Sequence, residues 1–133
     1  MIPFPHDFIN FEGEIVDPPK ITIARGAANP KGRRVDVELL IAAVKTVFDP
    51  DVGIDVYNLG LIYKIDPLKN SDVKVEMTLT SPTCPYAEKM VSDVAQALSD
   101  IEGVGKVTVK LVWSPAWDLA MLSDEARYRL DLF

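Results

Sequence analysis

Residues 73–111 read VKVEMTLTSPTCPYAEKMVSDVAQALSDIEGVGKVTVKL, and this stretch decides the fold. Apolar and polar residues alternate at its start, which predicts a half-buried strand over 73–80. Apolar residues three and four apart then predict an amphipathic helix that begins after Pro85 and ends near Gly103. Alternation returns over 107–113 and predicts a further strand, so the stretch forms a strand, a helix and a strand.

The residues on either side predict two more helices and one more strand. A helix is expected from the N-cap Asp36 to Phe48, ending at Asp49-Pro50. The run YNLGLIYKI over 57–65 is rich in aromatic and branched residues and predicts a strand, followed by a hairpin loop over 66–72. Ser114-Pro-Ala-Trp117 predicts a turn. A last helix is expected from Asp118 or Asp124 to Leu132, with Ser123 as its candidate internal N-cap.

This order of helix, strand, strand, helix, strand, helix predicts a small single α/β (α+β) domain, with a mixed sheet of three or four strands covered by helices. We expect that domain to occupy residues 35–133. Residues 1–34 are rich in proline and glycine and are expected to form an N-terminal extension that is partly irregular or an edge hairpin. Its two candidate strands are 14–16 and 20–24.

Composition excludes several classes of protein. The 133 residues suffice for one domain with a real core, and the formal charge of −6 argues against general nucleic-acid binding. No apolar run approaches the roughly 20 residues that a membrane span needs. The first residues lack a basic region followed by an unbroken apolar one, so we expect no signal peptide and a cytoplasmic protein.

Cys84 is the most informative single residue, because it is the one cysteine and stands between a strand and a helix. A thiol at the start of a helix faces unpaired backbone N–H groups, which stabilise the thiolate. Thr80 and Thr83 add hydroxyls that can donate to a sulfur or an anion. The alternative is a small buried apolar cysteine. One cysteine cannot complete a three- or four-ligand metal set, so other ligands would come from a second chain, a small thiol, a carboxylate or a client.

Three other groups of residues have both a functional and a structural interpretation. His6 is the one histidine and the sole candidate base for a thiol enzyme, but a surface residue in the extension is the simpler interpretation. Asp49, Asp51 and Asp55 either meet a metal or a basic partner, or supply turn chemistry on a solvated surface. Trp113 and Trp117 flank a proline turn and form either core packing or a partner surface.

Four ordered motifs resemble a family of small iron–sulfur assembly proteins that includes SufT, the PaaD-like accessory proteins and the eukaryotic cytosolic cluster-targeting component. The motifs are DPDVGIDVYNLGLIY (49–63), MTLTSPTCP (77–85), VWSPAW (112–117) and MLSDEAR (121–127). The resemblance covers about residues 35–133 and is strongest to SufT. Many members carry Glu at position 51 and Gly at position 83.

The resemblance implies an iron–sulfur cluster assembly or maturation factor that handles or delivers clusters to clients through Cys84. It places Thr80, Thr83, Asp49 and Asp51 beside that cysteine, and implies a cluster that is transient or bridges a homodimer. Assembly proteins and apo-clients are the expected partners, and no enzymatic activity is expected. Two alternatives remain: a non-ligating adaptor of the assembly machinery, and a PaaD-like accessory protein of an oxygenase, although PaaD-like chains usually carry a further C-terminal cysteine cluster.

Overall fold

The computed structural model describes residues 20–29, 31–80 and 85–130. Its elements follow in the order β1 (Thr22–Arg25), α1 (Val37–Val44), β2 (Ile62–Pro67), β3 (Val73–Met77), α2 (Ala87–Ser99), β4 (Val107–Leu111) and α3 (Asp124–Arg129). One turn of 3-10 helix, Leu119–Met121, precedes α3. The predicted mixed α and β class and the predicted order of helices and strands are confirmed.

The four strands form one mixed sheet in the order β1-β4-β3-β2. β3 and β4 are parallel, with Met77 opposite Leu111, while the two outer pairs are antiparallel. The crossover between the parallel strands is α2, which packs against β4 and β1. No helix in the described ranges is long and apolar enough to cross a membrane.

Alternation in the two central strands decides which face of the sheet is buried. Val75 and Val109 lie side by side in the register and are buried, whereas Lys74 and Lys110 are exposed. The apolar residues of α2 cover the buried face, and their spacing of three and four residues explains why the helix forms there. The buried residues of that helix are Ala87, Met90, Val91, Val94, Ala95 and Leu98.

The predicted strand over 57–65 is wrong in its first half. Residues 57–60 form a turn in which the Leu59 N–H donates to the Asp55 carbonyl at 3.0 Å and the Gly60 N–H donates to the Tyr57 carbonyl at 3.0 Å. Gly60 has a φ of 77°, which strands do not use. The strand therefore starts at Ile62 and continues to Pro67, two residues past its predicted end.

Several predicted ends also need correction. The first helix stops at Val44, because the next residues form tighter turns in which the Thr46 N–H donates to the Ala43 carbonyl. Ladder pairing ends at Met77 and Leu111, before the predicted limits. The final segment splits at Leu122, whose backbone is extended, and Ser123 caps α3 as expected. The predicted end of that helix, Leu132, lies outside the described residues.

The N-terminal extension contributes a strand to the sheet. β1 is an edge strand, as expected, and pairs antiparallel with β4 from Thr22 opposite Lys110 to Arg25 opposite Val107. The other candidate strand of the predicted hairpin, 14–16, lies outside the described residues. The boundary at residue 34 stays a prediction, but residues just ahead of it belong to the same sheet as the domain.

Candidate functional site

One edge of the sheet gathers the segments that carry the predicted site. Because β3 and β4 are parallel, their carboxyl ends meet there, and the Val112 N–H donates to the Met77 carbonyl at 2.8 Å. Thr80 follows the end of β3 and is exposed. The chain then passes to α2, whose first residue is Ala87. This edge therefore holds both the end of β3 and the beginning of α2.

Cys84 and Thr83 lie outside the described residues. Their described neighbours, Thr80, Pro85 and Tyr86, are all exposed. Tyr86 is the N-cap residue of α2 and makes no side-chain capping hydrogen bond. Tyr86 therefore supplies no side-chain acceptor to the backbone N–H groups of the first turn, where the positive end of the helix dipole lies.

The acidic loop, residues 48–55, contains Asp49, Asp51 and Asp55. Asp49 has a structural role in it. Its carboxylate is buried, and Oδ1 accepts hydrogen bonds from the backbone N–H groups of Asp51 at 2.8 Å and Val52 at 3.3 Å. The backbone closes the same turn, since the Gly53 N–H donates to the Asp49 carbonyl at 2.8 Å. Asp51 is exposed. Of the two predicted acidic site residues, only Asp51 presents its side chain to solvent.

Asp55 also serves the fold. It is buried and accepts from both the backbone N–H and the side-chain Nδ2 of Asn58, at 3.0 and 2.8 Å. Within the ranges that the structure describes, no three His, Cys, Asp or Glu side chains are grouped as a metal site. The acidic loop alone therefore does not form a metal centre there.

The acidic loop packs against the start of α2. Phe48 and Pro50 from the loop and Tyr86 and Met90 from the helix line a small cavity of about 130 Å³. Tyr86 follows Cys84 by two residues in the sequence. The structure thus brings the loop of Asp49 and Asp51 to the beginning of α2, although the Asp49 carboxylate points into its own turn.

The two tryptophans are half-buried and pack against the core. The Trp117 indole N–H donates to the Leu59 carbonyl at 2.6 Å. The hydroxyl of Tyr63 donates to the Pro115 carbonyl at 2.7 Å, which fixes the turn between the tryptophans. The structural interpretation of Trp117 is therefore confirmed, and its indole links the last third of the chain to the loop after Asp55.

Tyr63 is a residue whose role sequence reasoning missed. Burial raises its pKa above the usual 10.0, the nearby Asp118 carboxylate raises it further, and the Thr78 hydroxyl acts in the opposite direction. The sequence pattern marks Tyr63 only as part of a strand. Its partner Pro115 is 52 residues away along the chain, so no local spacing points to the contact.

Comparisons with known proteins identify relatives of this chain. The chain is 39% identical over 93 residues to an "Fe-S protein maturation auxiliary factor" of Porphyromonas gingivalis, covering 70% of this chain and 89% of the relative. It is 39% identical over 84 residues to the "Fe-S protein maturation auxiliary factor SufT" of Staphylococcus aureus, covering 63% of this chain and 96% of that relative.

A solved structure has the same fold. The crystal structure of a domain of unknown function, DUF59, from Bacillus anthracis superposes with a TM-score of 0.68 at 36% identity and covers 72% of this chain and 92% of its own. The sequence pattern described as "Iron-sulfur cluster assembly protein" matches residues 38–111, which run from α1 to the end of β4. The chain belongs to the iron–sulfur cluster assembly protein family.

Proposed function

We propose that this protein is an iron–sulfur cluster maturation factor that handles clusters, or delivers them to client proteins, through Cys84. One observation carries the proposal: the family match spans the β3-α2-β4 unit, and the chain's one cysteine falls inside the matched sequence, directly before the exposed residues Pro85 and Tyr86 that lead into α2. A thiolate is the form that binds iron, and a helix start favours that form.

The cluster is cargo in this proposal. One thiolate cannot hold a cluster by itself, so the remaining ligands come from a second copy of the chain or from a client. A symmetric dimer that brings two Cys84 thiols together is the simplest source within one protein. A client that supplies the other thiolates would take over the cluster by replacing Cys84 as a ligand.

The remaining predicted site residues have different parts in the proposal. Thr80 is exposed at the sheet edge and can donate a hydrogen bond to a bound sulfide, as can Thr83 by its residue type. Asp51 is exposed beside the start of α2 and can attract a basic group of a partner. Asp49 supports this loop through its turn rather than as a ligand.

The proposal includes the partners and the location expected from the sequence. Assembly proteins and apo-clients are the partners, the location is the cytoplasm, and the protein does not catalyse a reaction of its own. The names of the relatives support the expected partners, since they describe maturation factors.

Anaerobic cluster reconstitution of the wild type, Cys84→Ala and Thr80→Ala tests the proposal. Visible absorption, iron and sulfide per chain, and mass by size exclusion are measured, followed by cluster transfer to an apo-ferredoxin. The wild type is expected to bind or transfer cluster, Cys84→Ala to lose both, and Thr80→Ala to retain most of both. A wild type and a Cys84→Ala variant that transfer cluster equally well would contradict a role for the thiol.

The adaptor alternative predicts client binding that is independent of the cysteine. Trp117→Ala is a poor test of it, because that change also removes the hydrogen bond to Leu59 and buried area. Client capture by Cys84→Ser at wild-type level, together with no cluster on either protein, would favour the adaptor over the carrier.

A further inference from the structure

A groove lies at one end of the β1 and β4 pair, where β1 begins and β4 ends. It has a volume of about 570 Å³. The residues that line it are Lys20, Ile21, Thr22, Lys110, Leu111, Val112, Trp113 and Ser114. Trp113 and Ser114 form its far end. This end lies next to the carboxyl end of β3, because the Val112 N–H donates to the Met77 carbonyl. Thr80 follows three residues after that strand end.

The groove combines an apolar floor with two free positive charges. Leu111 is buried, and Ile21 and Trp113 pack against the core. Lys20 and Lys110 are both exposed, and within the described part of the chain neither side chain has an ion pair or a hydrogen bond. Among the residues that the structure describes, no acidic one lines the groove. A segment with apolar side chains and carboxylates therefore fits it.

We propose that residues 1–19 of this chain dock in this groove. Their sequence, MIPFPHDFINFEGEIVDPP, carries three phenylalanines and no Lys or Arg. Its four carboxylates are Asp7, Glu12, Glu14 and Asp17. The segment thus offers apolar anchors for the floor and negative charge for the two lysines, and its composition complements the groove as that of a basic segment would not.

The length of residues 1–19 and their point of attachment also favour this segment as the occupant of the groove. Lys20 is itself a wall of the groove, so residue 19 is attached at the rim. The five residues 110–114 extend over roughly 17 Å at strand spacing. Nineteen residues reach up to roughly 60 Å when extended, so the segment is long enough to return along the groove. Tethering gives it an effective concentration near the millimolar range, which makes even a weak contact sufficient.

A second copy of the chain fits the groove less well. A symmetric contact of this face with itself would set Lys20 and Lys110 against the same lysines across a two-fold axis. The proposal is independent of the assignment of Cys84 to cluster handling, because it rests only on the groove and on the sequence of residues 1–19.

The test uses the full chain with Cys84→Ser and Asn10→Cys, which leaves one thiol for a nitroxide label. Paramagnetic loss of amide signal is measured by nuclear magnetic resonance. Thr22, Val112 and Ser114 are expected to lose most of their intensity. Reference amides at Thr46 and Gln96, which line a separate groove between α2 and the turn after α1, are expected to keep theirs. Equal loss at both grooves, or none at the first, would overturn the proposal.

Charge reversal gives a matched control. Lys110→Glu is expected to restore the amide intensities of the groove, while Lys106→Glu, an exposed change of equal charge at the other end of β4, leaves the loss in place. If Lys110→Glu does not fold, Thr22→Glu is used instead, because Thr22 lies opposite Lys110 in the antiparallel pair. No recovery of the amide intensities in the folded variant would contradict the proposed charge match.

A mixture of nitroxide-labelled chains and separately isotope-labelled chains tests for docking between two copies. Signal loss in this mixture would assign the groove to a second copy and overturn docking within one chain.

Discussion

Ser123 and Asn58 hold each other through two hydrogen bonds across 65 residues of sequence. The Ser123 hydroxyl donates to Asn58 Oδ1 at 2.8 Å, and the Ser123 backbone N–H donates to the Asn58 carbonyl at 2.9 Å. Asn58 also donates to the buried Asp55, while Ser123 caps α3 through the Ala126 N–H. The loop before β2 and the start of the last helix are therefore one hydrogen-bonded unit.

Asn58→Ala is expected to lower the free energy of unfolding by about 1–3 kcal/mol, because it leaves the buried Asp55 carboxylate without its side-chain donor. Urea denaturation measures the change. Gln96→Ala is the control, since the Gln96 side chain donates to Asp100 on the exposed side of α2. A loss no greater than that of the control would show that the unit does not contribute to stability.

Gly60 and Gly53 form a matched pair for a second prediction. Both have a positive φ, of 77° and 76°. A Cβ on Gly60 would overlap the Met121 carbonyl oxygen, whereas a Cβ on Gly53 would meet nothing within 4 Å. Gly53→Ala is expected to cost about 1–2 kcal/mol for its backbone conformation alone.

Gly60→Ala is expected to cost at least about 1 kcal/mol more than Gly53→Ala, because the 3-10 segment must move to accept the methyl group. Thermal and urea denaturation of the two variants measure the difference. Equal losses would mean that the contact between Gly60 and Met121 relaxes without cost, and that only the backbone conformation matters at position 60.

The sequence predicted best those elements whose pattern is set by one buried face. β3, β4 and α2 all pack on the same core, so alternation and helical spacing identified them directly. The turn over 57–60 was missed, because Asn58 and Gly60 stand within a run, 57–65, that is otherwise rich in aromatic and branched residues. What makes it a turn is the buried Asp55 carboxylate and the distant contacts of Asn58 and Gly60. Such contacts leave no local period.

In the candidate site too, the sequence predicts the order of the elements but not the contacts that decide burial. Local order along the chain correctly placed the start of α2 after the end of β3. It left open whether Asp49 supplies turn chemistry or a site carboxylate, because an aspartate in a turn and an aspartate at a site have the same neighbours in sequence. Burial distinguishes the two, and burial depends on how Phe48 and Pro50 pack against α2.

Tyr63 predicts a loss of stability at alkaline pH. Its pKa is raised in the folded protein, mainly by burial and then by Asp118. Above about pH 10 the unfolded chain therefore loses this proton while the folded chain keeps it, and the free energy of unfolding falls as the pH rises. Tyr63→Phe is expected to fall less steeply over that range. Urea denaturation at a series of alkaline pH values measures the slopes.

Tyr128→Phe is the control for this slope, since Tyr128 is 79% exposed. Asp118→Asn keeps an oxygen that can cap the 3-10 segment but removes the charge near Tyr63, so it is expected to lower the pKa of Tyr63. Wild type and Tyr63→Phe with the same slope above pH 10 would contradict the expected linkage.

The two acidic residues of the loop are expected to behave differently. Asp49→Ala should lower stability by about 1–3 kcal/mol, because the N–H groups of Asp51 and Val52 lose their acceptor. Asp49→Asn retains Oδ1 and should retain most of the stability. Asp51→Asn should leave stability within about 0.5 kcal/mol of the wild type, as surface changes do.

Cluster transfer by the same variants distinguishes the structural role of Asp49 in its turn from an attraction between the Asp51 charge and a partner. If Asp51 attracts a partner, Asp51→Asn slows transfer to the apo-ferredoxin with unchanged unfolding, and the slowing diminishes at high salt. Asp49→Asn is expected to transfer at the wild-type rate. Slow transfer by Asp49→Asn with normal stability would instead identify the buried carboxylate as a functional group.

Ser71 is expected to be a site where a smaller residue stabilises the protein. Its φ is 71°, a conformation that favours glycine, and its hydroxyl is buried with no hydrogen-bond partner among the residues that the structure describes. Ser71→Gly removes both costs and is expected to raise the free energy of unfolding by up to about 1 kcal/mol, after the greater freedom of glycine in the unfolded chain is subtracted.

Ser71→Ala separates the two contributions, because it removes the hydroxyl and keeps the strained backbone. Its stability is expected to lie between those of the wild type and Ser71→Gly in urea denaturation. The backbone itself must stay in place, since the Ser71 carbonyl accepts from the Gly105 N–H at 3.0 Å. A Ser71→Gly variant less stable than the wild type would show that the hydroxyl contributes packing against Gly32 and Gly105 that outweighs its unmet hydrogen bond.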